Sequence, residues 1–344
     1  MSSSTKTRQI ASIIRWPFVA VLLLAMTAGP AYAQNAAAVG LKQESVYTAA
    51  KSDPEAEVIG SEIQHGRYAS AESDARASLR RHPDSSVMHN LLGYVLYREN
   101  KPKESLGEYT AGARYGKPGA NDLAVAAMDY ILLADYPDAD KWLTVATEWE
   151  PGNALYWYYL GRTKYQENRF QEAITAFHRT LALKPKDIRS QYNLGLALAG
   201  LGRVTDAEEA YKTAIEWGRT APLPDPQPYL DLGLLLDRQG QTEDATPYLA
   251  TAVKLDARNP KAHEALGRNY ERRGEFSKAE AEYRAAVSLA PNISALHFEL
   301  GRTYRKEDRN KLAEEEFSQC AALNKAHSTD SEPTPNISTL PERE

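Results

Sequence analysis

Small and large apolar residues recur along this chain with a period of 34 positions. Within each period the apolar residues lie three or four positions apart, a spacing that predicts amphipathic helices. Breaks that contain Gly, Asn or Asp, such as Asn168-Arg169 and Arg273-Gly274, separate two helices of about a dozen residues in each period. Each period therefore predicts a helical hairpin.

Three columns of small residues define the register. The first column holds Gly93, Gly161, Gly195, Gly233, Gly267 and Gly301, at spacings of 68, 34, 38, 34 and 34, so one four-residue insertion interrupts the period. The second column, 12 residues after each glycine, reads Ala71, Ser105, Ala139, Ala173, Ala207, Ala245, Ala279 and Ala313. The third reads Ser78, Gly112, Ala146, Thr180, Ala214, Ala252, Ala286 and Cys320. Small side chains let two helix backbones approach closely, so we expect these columns where helices cross.

The register divides residues 52–327 into eight frames. They are 52–85, 86–119, 120–153, 154–187, 188–221, 226–259, 260–293 and 294–327. Frame 52–85 lacks the glycine, and frame 120–153 has Ala127 in its place. One hairpin cannot bury its apolar face alone, so neighbouring hairpins are expected to stack and to share a continuous core.

These columns resemble the tetratricopeptide repeat family. Frame 154–187 shows the resemblance best, through Trp157, Leu160, Gly161, Ala173, Phe177 and Pro185. The resemblance implies an all-α fold, an α-solenoid superhelix of about eight stacked hairpins whose first helices line a concave groove. It also implies a protein that binds other proteins.

Residues 1–33 are typical of a secretory signal peptide. They combine a basic start, an apolar run and a small-x-small cleavage sequence, which are Lys6, Arg8 and Arg15, then residues 17–29, then Ala31-Tyr32-Ala33. The alternative is an uncleaved membrane anchor, but the apolar run is shorter than the roughly 20 residues that a spanning helix needs. The sequence therefore predicts an exported protein, periplasmic or secreted, with no stable membrane insertion after cleavage.

Three further segments lie outside the regular repeats. Residues 34–51 are polar and Ala-rich and predict a lead-in or a short capping helix. Residues 328–344 contain three prolines among Ser, Thr and acidic residues and predict a disordered tail. The insertion at 218–226 contains three prolines, which exclude helix and favour an extended linker. We interpret it as a tolerated loop, with a bend in the array or a contact with a partner as alternatives.

The net charge and the single cysteine limit the functions that this chain can have. The chain has 41 Lys and Arg against 46 Asp and Glu, a formal charge of −5, or −8 (38 minus 46) without the first 33 residues. This balance argues against nucleic-acid binding. Cys320 is the single cysteine, so no intramolecular disulfide can form, and its place in the third small column predicts a buried structural role.

No catalytic or metal-binding motif occurs in the sequence. The seven histidines lack metal-ligand spacing, and there is no H-E-x-x-H, P-loop, G-x-S-x-G or cysteine pair. His89, His263 and His297 share a column with Trp157 and Tyr229, which favours packing over chemistry. The sequence therefore predicts no enzyme, no catalytic residue, no cofactor and no metal.

The resemblance places a partner-binding groove on the first helices of the hairpins. The residues expected to face it are Asn90, Tyr94, Tyr97, Tyr158, Arg162, Tyr165, Arg189, Tyr192, Asn193, Lys261, Arg268, Arg272, Arg302 and Arg305. Tyr and Arg dominate binding hot spots because they offer contact area and hydrogen bonds at little ordering cost. We expect an extended or helical peptide segment of a partner there, with carboxylates drawn to the arginine-rich end. The alternative is an ordinary solvated face.

The predicted function is a non-catalytic scaffold or adaptor in envelope or secretion assemblies. Some family members bind C-terminal carboxylates through a Lys, Asn, Asn, Lys, Arg clamp, of which only Asn193 is present in the central frames. The alternative is a glycan-handling protein of a polysaccharide export system, in which Trp142, Trp149 and Trp157 would stack on sugars. These tryptophans lie in packing columns or between hairpins, which favours the core. The identity of the partner and the oligomeric state stay open.

Overall fold

The computed structural model describes residues 53–330, with side chains up to residue 326. The chain divides into two compact units, with the boundary between Glu167 and Asn168. Sixteen α-helices and no β-strand are present between residues 53 and 330. The predicted signal peptide, the lead-in at 34–51 and residues 331–344 of the predicted tail lie outside the described residues.

Unit 1 contains seven helices between residues 53 and 167. They are α1 (Pro54–Gln64), α2 (Tyr68–Arg81), α3 (Ser86–Arg98), α4 (Pro102–Tyr115), α5 (Ala120–Leu132), α6 (Tyr136–Trp149) and α7 (Ala154–Gln166). Three hairpins form, α1 with α2, α3 with α4 and α5 with α6, and each packs on the next, with α7 packed on α6. The first helices α1, α3 and α5 also contact one another in sequence. Frame 52–85 is a hairpin as well, because Ala56, Ile59 and Ile63 bury the inner face of α1.

Unit 2 contains nine helices within the described residues. They are α8 (Phe170–Leu183), α9 (Ile188–Gly200), α10 (Val204–Gly218), α11 (Gln227–Arg238), α12 (Thr242–Leu255), α13 (Pro260–Arg272), α14 (Phe276–Leu289), α15 (Ser294–Lys306) and α16 (Asn310–Asp330). The hairpins are α9 with α10, α11 with α12, α13 with α14 and α15 with α16. Each hairpin packs on the next, α8 packs on α9, and α11 contacts α13. The predicted all-α fold of stacked hairpins is confirmed within each unit.

The glycine column lies where the two helices of a hairpin cross. A β-carbon at Gly195 would lie 2.6 Å from the ring of Tyr211, and one at Gly93 would lie 3.0 Å from the ring of Tyr109. The large residue 16 positions later therefore packs directly on the glycine backbone, which explains why the two columns occur together. In the second small column the alanines are buried, most of them with no exposed surface.

Polar residues set the helix ends. Asp53, Asn153 and Asn259 cap the starts of α1, α7 and α13 with side-chain oxygens that accept backbone N–H groups. The turn inside the α13–α14 hairpin needs a left-handed residue, which Gly274 supplies with a φ of 74°. The predicted linker is also non-helical, since α10 ends at Gly218 and α11 begins at Gln227.

Two features at the end of unit 2 differ from the sequence-based expectation. The helix α16 has 21 residues and runs to Asp330, so residues 328–330, which were expected in the disordered tail, are helical. The reason is that no proline or glycine interrupts the chain between Asn310 and Asp330. Cys320 is half-buried rather than fully buried. The helix α14 is covered by α15 of the next hairpin. In the described part of the chain, no further hairpin follows α16 to cover it in the same way.

Candidate functional site

In unit 1, the predicted site residues of α3 join neighbouring first helices. Nδ2 of Asn90 donates a 2.9 Å hydrogen bond to Oδ2 of Asp122 on α5, and this carboxylate also accepts from the backbone of Gly119. Loss of hydration raises the pKa of Asp122. Tyr94 and Tyr97 are only 2% and 5% exposed, so their side chains offer a partner little contact area.

The remaining site residues of unit 1 lie on α7. Tyr158 is buried, whereas Arg162 and Tyr165 are half-exposed. The guanidinium carbon of Arg162 lies 5.9 Å from the centre of the Tyr158 ring, and Tyr158 packs edge-on against Tyr159. The Arg162 guanidinium is therefore close enough to the Tyr158 ring for a cation–π contact.

In unit 2, Tyr192 on α9 bonds to α11. Its hydroxyl donates to Oδ2 of Asp231 over 2.5 Å, and the same oxygen accepts a bond from Gln227. Burial raises the pKa of the Asp231 carboxyl. Tyr192 itself is buried, while Arg189 and Asn193 are half-exposed. The amide of Asn193 donates to the carbonyl oxygen of Arg189, so it is engaged within its own helix.

The arginines at the end of unit 2 are paired with carboxylates of the protein. Arg302 on α15 forms a two-pronged contact with Glu271 on α13, with Nε–Oε1 at 2.9 Å and Nη2–Oε2 at 2.5 Å. Nη2 of Arg302 also lies 2.6 Å from Oε2 of Glu299. Arg268 pairs with Glu264 one turn earlier on α13. Bonding to Glu271 raises the pKa of the Arg302 guanidinium, so this group stays charged.

The other cations of this end are more exposed. Nη1 of Arg272 lies 3.0 Å from the buried Asp237 of α11 and donates to the backbone oxygen of the same residue. The Arg305 guanidinium lies 5.3 Å from the centre of the Phe317 ring. Both arginines and Lys261 are exposed. We call the surface made by the first helices of each unit the first-helix face of that unit.

The geometry corrects the expected role of several site residues. Tyr94, Tyr97, Tyr158 and Tyr192 are buried by 94% or more, because aromatic rings at these positions fill the space between neighbouring helices rather than an open groove. The arginines lie at the surface, but several of their charges are balanced by internal carboxylates. Tyr192, Arg272 and Arg302 bond to the first helix of a neighbouring hairpin, a role that the sequence did not indicate.

The histidine column has a clear structural role. Nδ1 of His263 lies 2.6 Å from Glu282 of the same hairpin, and Nε2 lies 3.1 Å from the carbonyl oxygen of Ala257 in the preceding loop. His89 and His297 make the same two contacts, and Nε1 of Trp157 donates to the carbonyl oxygen of Pro151. At these four positions the column joins the first helix to the loop before it, which agrees with packing rather than chemistry.

Two tryptophans are more exposed than the sequence indicated. Trp142 and Trp149 are 39% and 43% exposed, although their columns favoured the core. They are seven residues apart and therefore lie on one side of α6. The amino group of Lys117 lies 4.6 Å from the centre of the Trp149 ring. The replacement of a glutamate by Trp142 in a column that holds Glu108, Glu282 and Glu316 was the signal for this surface.

Between residues 53 and 326, no three His, Cys, Asp or Glu side chains are grouped so that they could hold a metal ion. None of the described helices combines the length and the apolar character that crossing a membrane requires.

Comparison with known proteins adds sequence relatives. A model described as tetratricopeptide repeat matches residues 61–121, 119–187, 158–222, 230–292 and 265–326. A peroxisomal targeting signal receptor of Kluyveromyces lactis is 35% identical over 79 residues, which are 23% of this chain and 14% of that protein. A PEX5-related protein of Homo sapiens is 27% identical over 124 residues, 36% of this chain and 17% of that protein. The matches thus span less than a fifth of each relative.

A solved structure shows the same fold. The Cut9–Hcn1 hetero-tetramer of the APC/C superimposes with a TM-score of 0.56 at 16% identity, over 76% of this chain and 52% of that chain. At this identity the likeness concerns the fold alone.

Proposed function

Because this chain is a member of the tetratricopeptide repeat family, we propose that it is a non-catalytic scaffold that binds a segment of a partner protein on the first-helix face of its hairpins. The name of one relative describes a receptor for a targeting signal, which supports a peptide as the ligand. On the first-helix face, side chains of neighbouring hairpins form hydrogen bonds with each other. Asn90 bonds to Asp122, and Arg302 bonds to Glu271.

The observation that carries the proposal is the fixed orientation of exposed polar groups. Arg302 forms an ion pair with Glu271, and Arg272 forms one with Asp237. The two arginine side chains nevertheless remain 34% and 46% exposed. Side chains that are ordered before binding lose less entropy when a partner binds. The first-helix face of unit 2 is therefore suited to the polar groups of an extended peptide.

Site-specific crosslinking tests the face. A photoreactive benzoylphenylalanine replaces Tyr165 on the first-helix face of unit 1, and a matched variant carries it at Glu148, which is exposed on the second helix α6. We expect a partner protein to be crosslinked from position 165 and not from position 148. Crosslinks from position 148 alone would refute the assignment of the face.

Export to the cell envelope is the second part of the proposal. The basic, apolar and small-x-small segments of residues 1–33 support it. We expect the mature protein to be found outside the cytoplasm with Gln34 as its first residue. N-terminal sequencing of the protein from fractionated cells checks this, and an intact N-terminus in the cytoplasm would contradict it.

A preference for acidic partners is a further expectation at the arginine-rich end. Since Arg268 and Arg302 are already paired with glutamates, Arg305 is the better probe of a partner carboxylate. We expect Arg305→Glu to weaken binding of the crosslinked partner by about tenfold, a loss of roughly 1.4 kcal/mol. The control is Arg284→Glu on the second helix α14, where the side chain is 66% exposed. Equal effects of both variants would exclude the preference.

A glycan ligand is the second candidate, and the exposed tryptophans favour it. Trp142 and Trp149 are seven residues apart on α6, so their rings lie roughly 10 Å apart along the helix axis. With the half-buried Val145 between them they form an apolar stripe on which sugar rings could stack. We would expect Trp142→Ala with Trp149→Ala to abolish binding on a glycan array, and Tyr165→Ala to leave it intact. A wild-type protein that binds no glycan would exclude this candidate.

A further inference from the structure

A cleft of about 630 Å³ opens between α10, α11 and α12 of unit 2. Tyr229 and Leu236 of α11 form its floor, and Pro247 and Tyr248 of α12 form one wall. Lys212 of α10 lies on the opposite wall. The cleft falls within the range of roughly 300 to 1,000 Å³ that is typical of ligand pockets. Its walls are second helices, so it is a different surface from the first-helix face.

The local sequence sets the aromatic lining of this cleft. In the next hairpin the equivalent columns hold His263 and Glu282, which bond to each other at 2.6 Å. Tyr229 and Tyr248 occupy these columns here and place two aromatic rings along the cleft instead. The connection from α10 to α11 is also longer, at eight residues (219–226) against four (256–259) from α12 to α13.

The net charge of the residues that line the cleft determines the charge of the ligand that it favours. Three carboxylates line it, those of Glu208, Glu243 and Asp244, against the single cation of Lys212. Lys212 is already bonded to Glu208 at 2.6 Å, and Glu243 and Asp244 are exposed. The remaining charge is therefore negative and favours a cationic ligand.

The equivalent cleft of unit 1 has the opposite character. It lies between α2, α3 and α4, has a volume of about 310 Å³, and is lined by Arg76, Arg80 and His89 with one carboxylate, Glu108. The acidic, tyrosine-lined cleft of unit 2 is thus a local property and does not follow from the repeat itself.

We propose that the cleft between α10, α11 and α12 is a second docking site, which binds an extended, proline-containing segment of a partner protein through an arginine or lysine side chain. The exposed carboxylates of Glu243 and Asp244 pair with the cation. The rings of Tyr229 and Tyr248 stabilise the same cation through their faces and accept proline rings, as aromatic-lined grooves for proline-rich peptides do. A scaffold with this site engages two partners of different charge.

Fluorescence polarisation of the full chain with a labelled peptide tests the site. The probe is a peptide of repeated Pro-Pro-Arg units, and its counterpart contains Glu in place of Arg. We expect the arginine peptide to bind and the glutamate peptide not to bind. The double variant Glu243→Gln with Asp244→Asn should raise the dissociation constant about tenfold.

The matched control removes two other carboxylates from the same unit. Glu314 and Glu315 are exposed on α16, and their replacement by Gln should leave the affinity unchanged. Tyr248→Ala, with its fold checked by circular dichroism, should weaken binding as well. Absence of binding, equal losses in the two double variants, or a loss caused by Arg305→Glu on the first-helix face would each overturn the proposal. The last outcome would place the peptide on the face proposed above instead.

Discussion

The hydroxyl oxygen of Ser105 on α4 lies 2.5 Å from Oδ2 of Asp129 on α5 and 2.8 Å from the carbonyl oxygen of Gly93. The Ser105 hydroxyl donates toward both oxygens, which share its one proton. Asp129 has no exposed surface, and the loss of hydration raises its pKa to about 8. This contact between two hairpins therefore contains a neutral carboxylic acid at neutral pH.

We expect this contact to weaken as the pH rises from about 4 to about 8. Below the ordinary pKa of 3.8 both the folded and the unfolded chain are protonated, and the stabilising contribution is complete. Between the two pKa values only the unfolded chain ionises, so the free energy of unfolding falls by up to about 1.4 kcal/mol per pH unit. Urea unfolding at several pH values, followed by a probe in unit 1, measures the slope. Asp129→Asn cannot titrate and should flatten it, whereas a stability that rises over this range would contradict the assignment.

Two glycine-to-alanine substitutions should have opposite effects on stability. At Gly195 a β-carbon would lie 2.6 Å from the Tyr211 ring, so Gly195→Ala is expected to destabilise unit 2 by about 1 to 3 kcal/mol. At Gly107, inside α4, nothing lies within 4 Å, so Gly107→Ala should stabilise unit 1 by about 0.5 to 1 kcal/mol. Thermal unfolding of both variants checks the pair. Equal shifts in the melting temperature would show that the glycine column is not a packing constraint.

The same glycines show how far sequence reasoning extends. The contact of Gly195 with Tyr211 recurs at a fixed spacing, so the hairpins and their register could be predicted from the sequence. The pairing of Arg302 with Glu271 could not be predicted, because it depends on the distance between two hairpins. Nor could the burial of Asp129, which stands alone in its column as an aspartate.

The candidate site could be predicted only in part from the column positions. The column positions correctly placed Arg272 and Arg305 at the surface of the first helices. Tyr94 shares its column with Arg268 and Arg302, but its aromatic ring is buried, and Tyr192 is buried as well. The cleft beside Tyr248 requires three helices from two hairpins, and a single repeat does not contain that information.

The histidine contacts predict a position-specific loss of stability. His263→Ala would remove the ring nitrogens that contact the Glu282 carboxylate and the carbonyl oxygen of Ala257 at a largely buried position. Leaving buried polar groups unpaired costs about 1 to 3 kcal/mol each, so we expect a destabilisation of this order. His178 is exposed on α8, and His178→Ala should change the free energy of unfolding by less than about 0.5 kcal/mol. Urea unfolding of both variants measures the difference, and comparable losses would argue against a structural role of the column.

The pair of Arg302 and Glu271 should be energetically coupled across the α13–α15 contact. The carboxylate is largely buried at 11% exposure, but the arginine is 34% exposed, so solvent screens the interaction. We therefore expect a coupling energy of about 1 kcal/mol from the double-mutant cycle of Arg302→Gln and Glu271→Gln. The control cycle uses Arg219 and Glu216, which are 69% and 64% exposed and should couple by less than about 0.5 kcal/mol. If the two cycles give the same coupling energy, Glu271 does not hold Arg302 in place, and the fixed orientation on which the proposed binding face depends is lost.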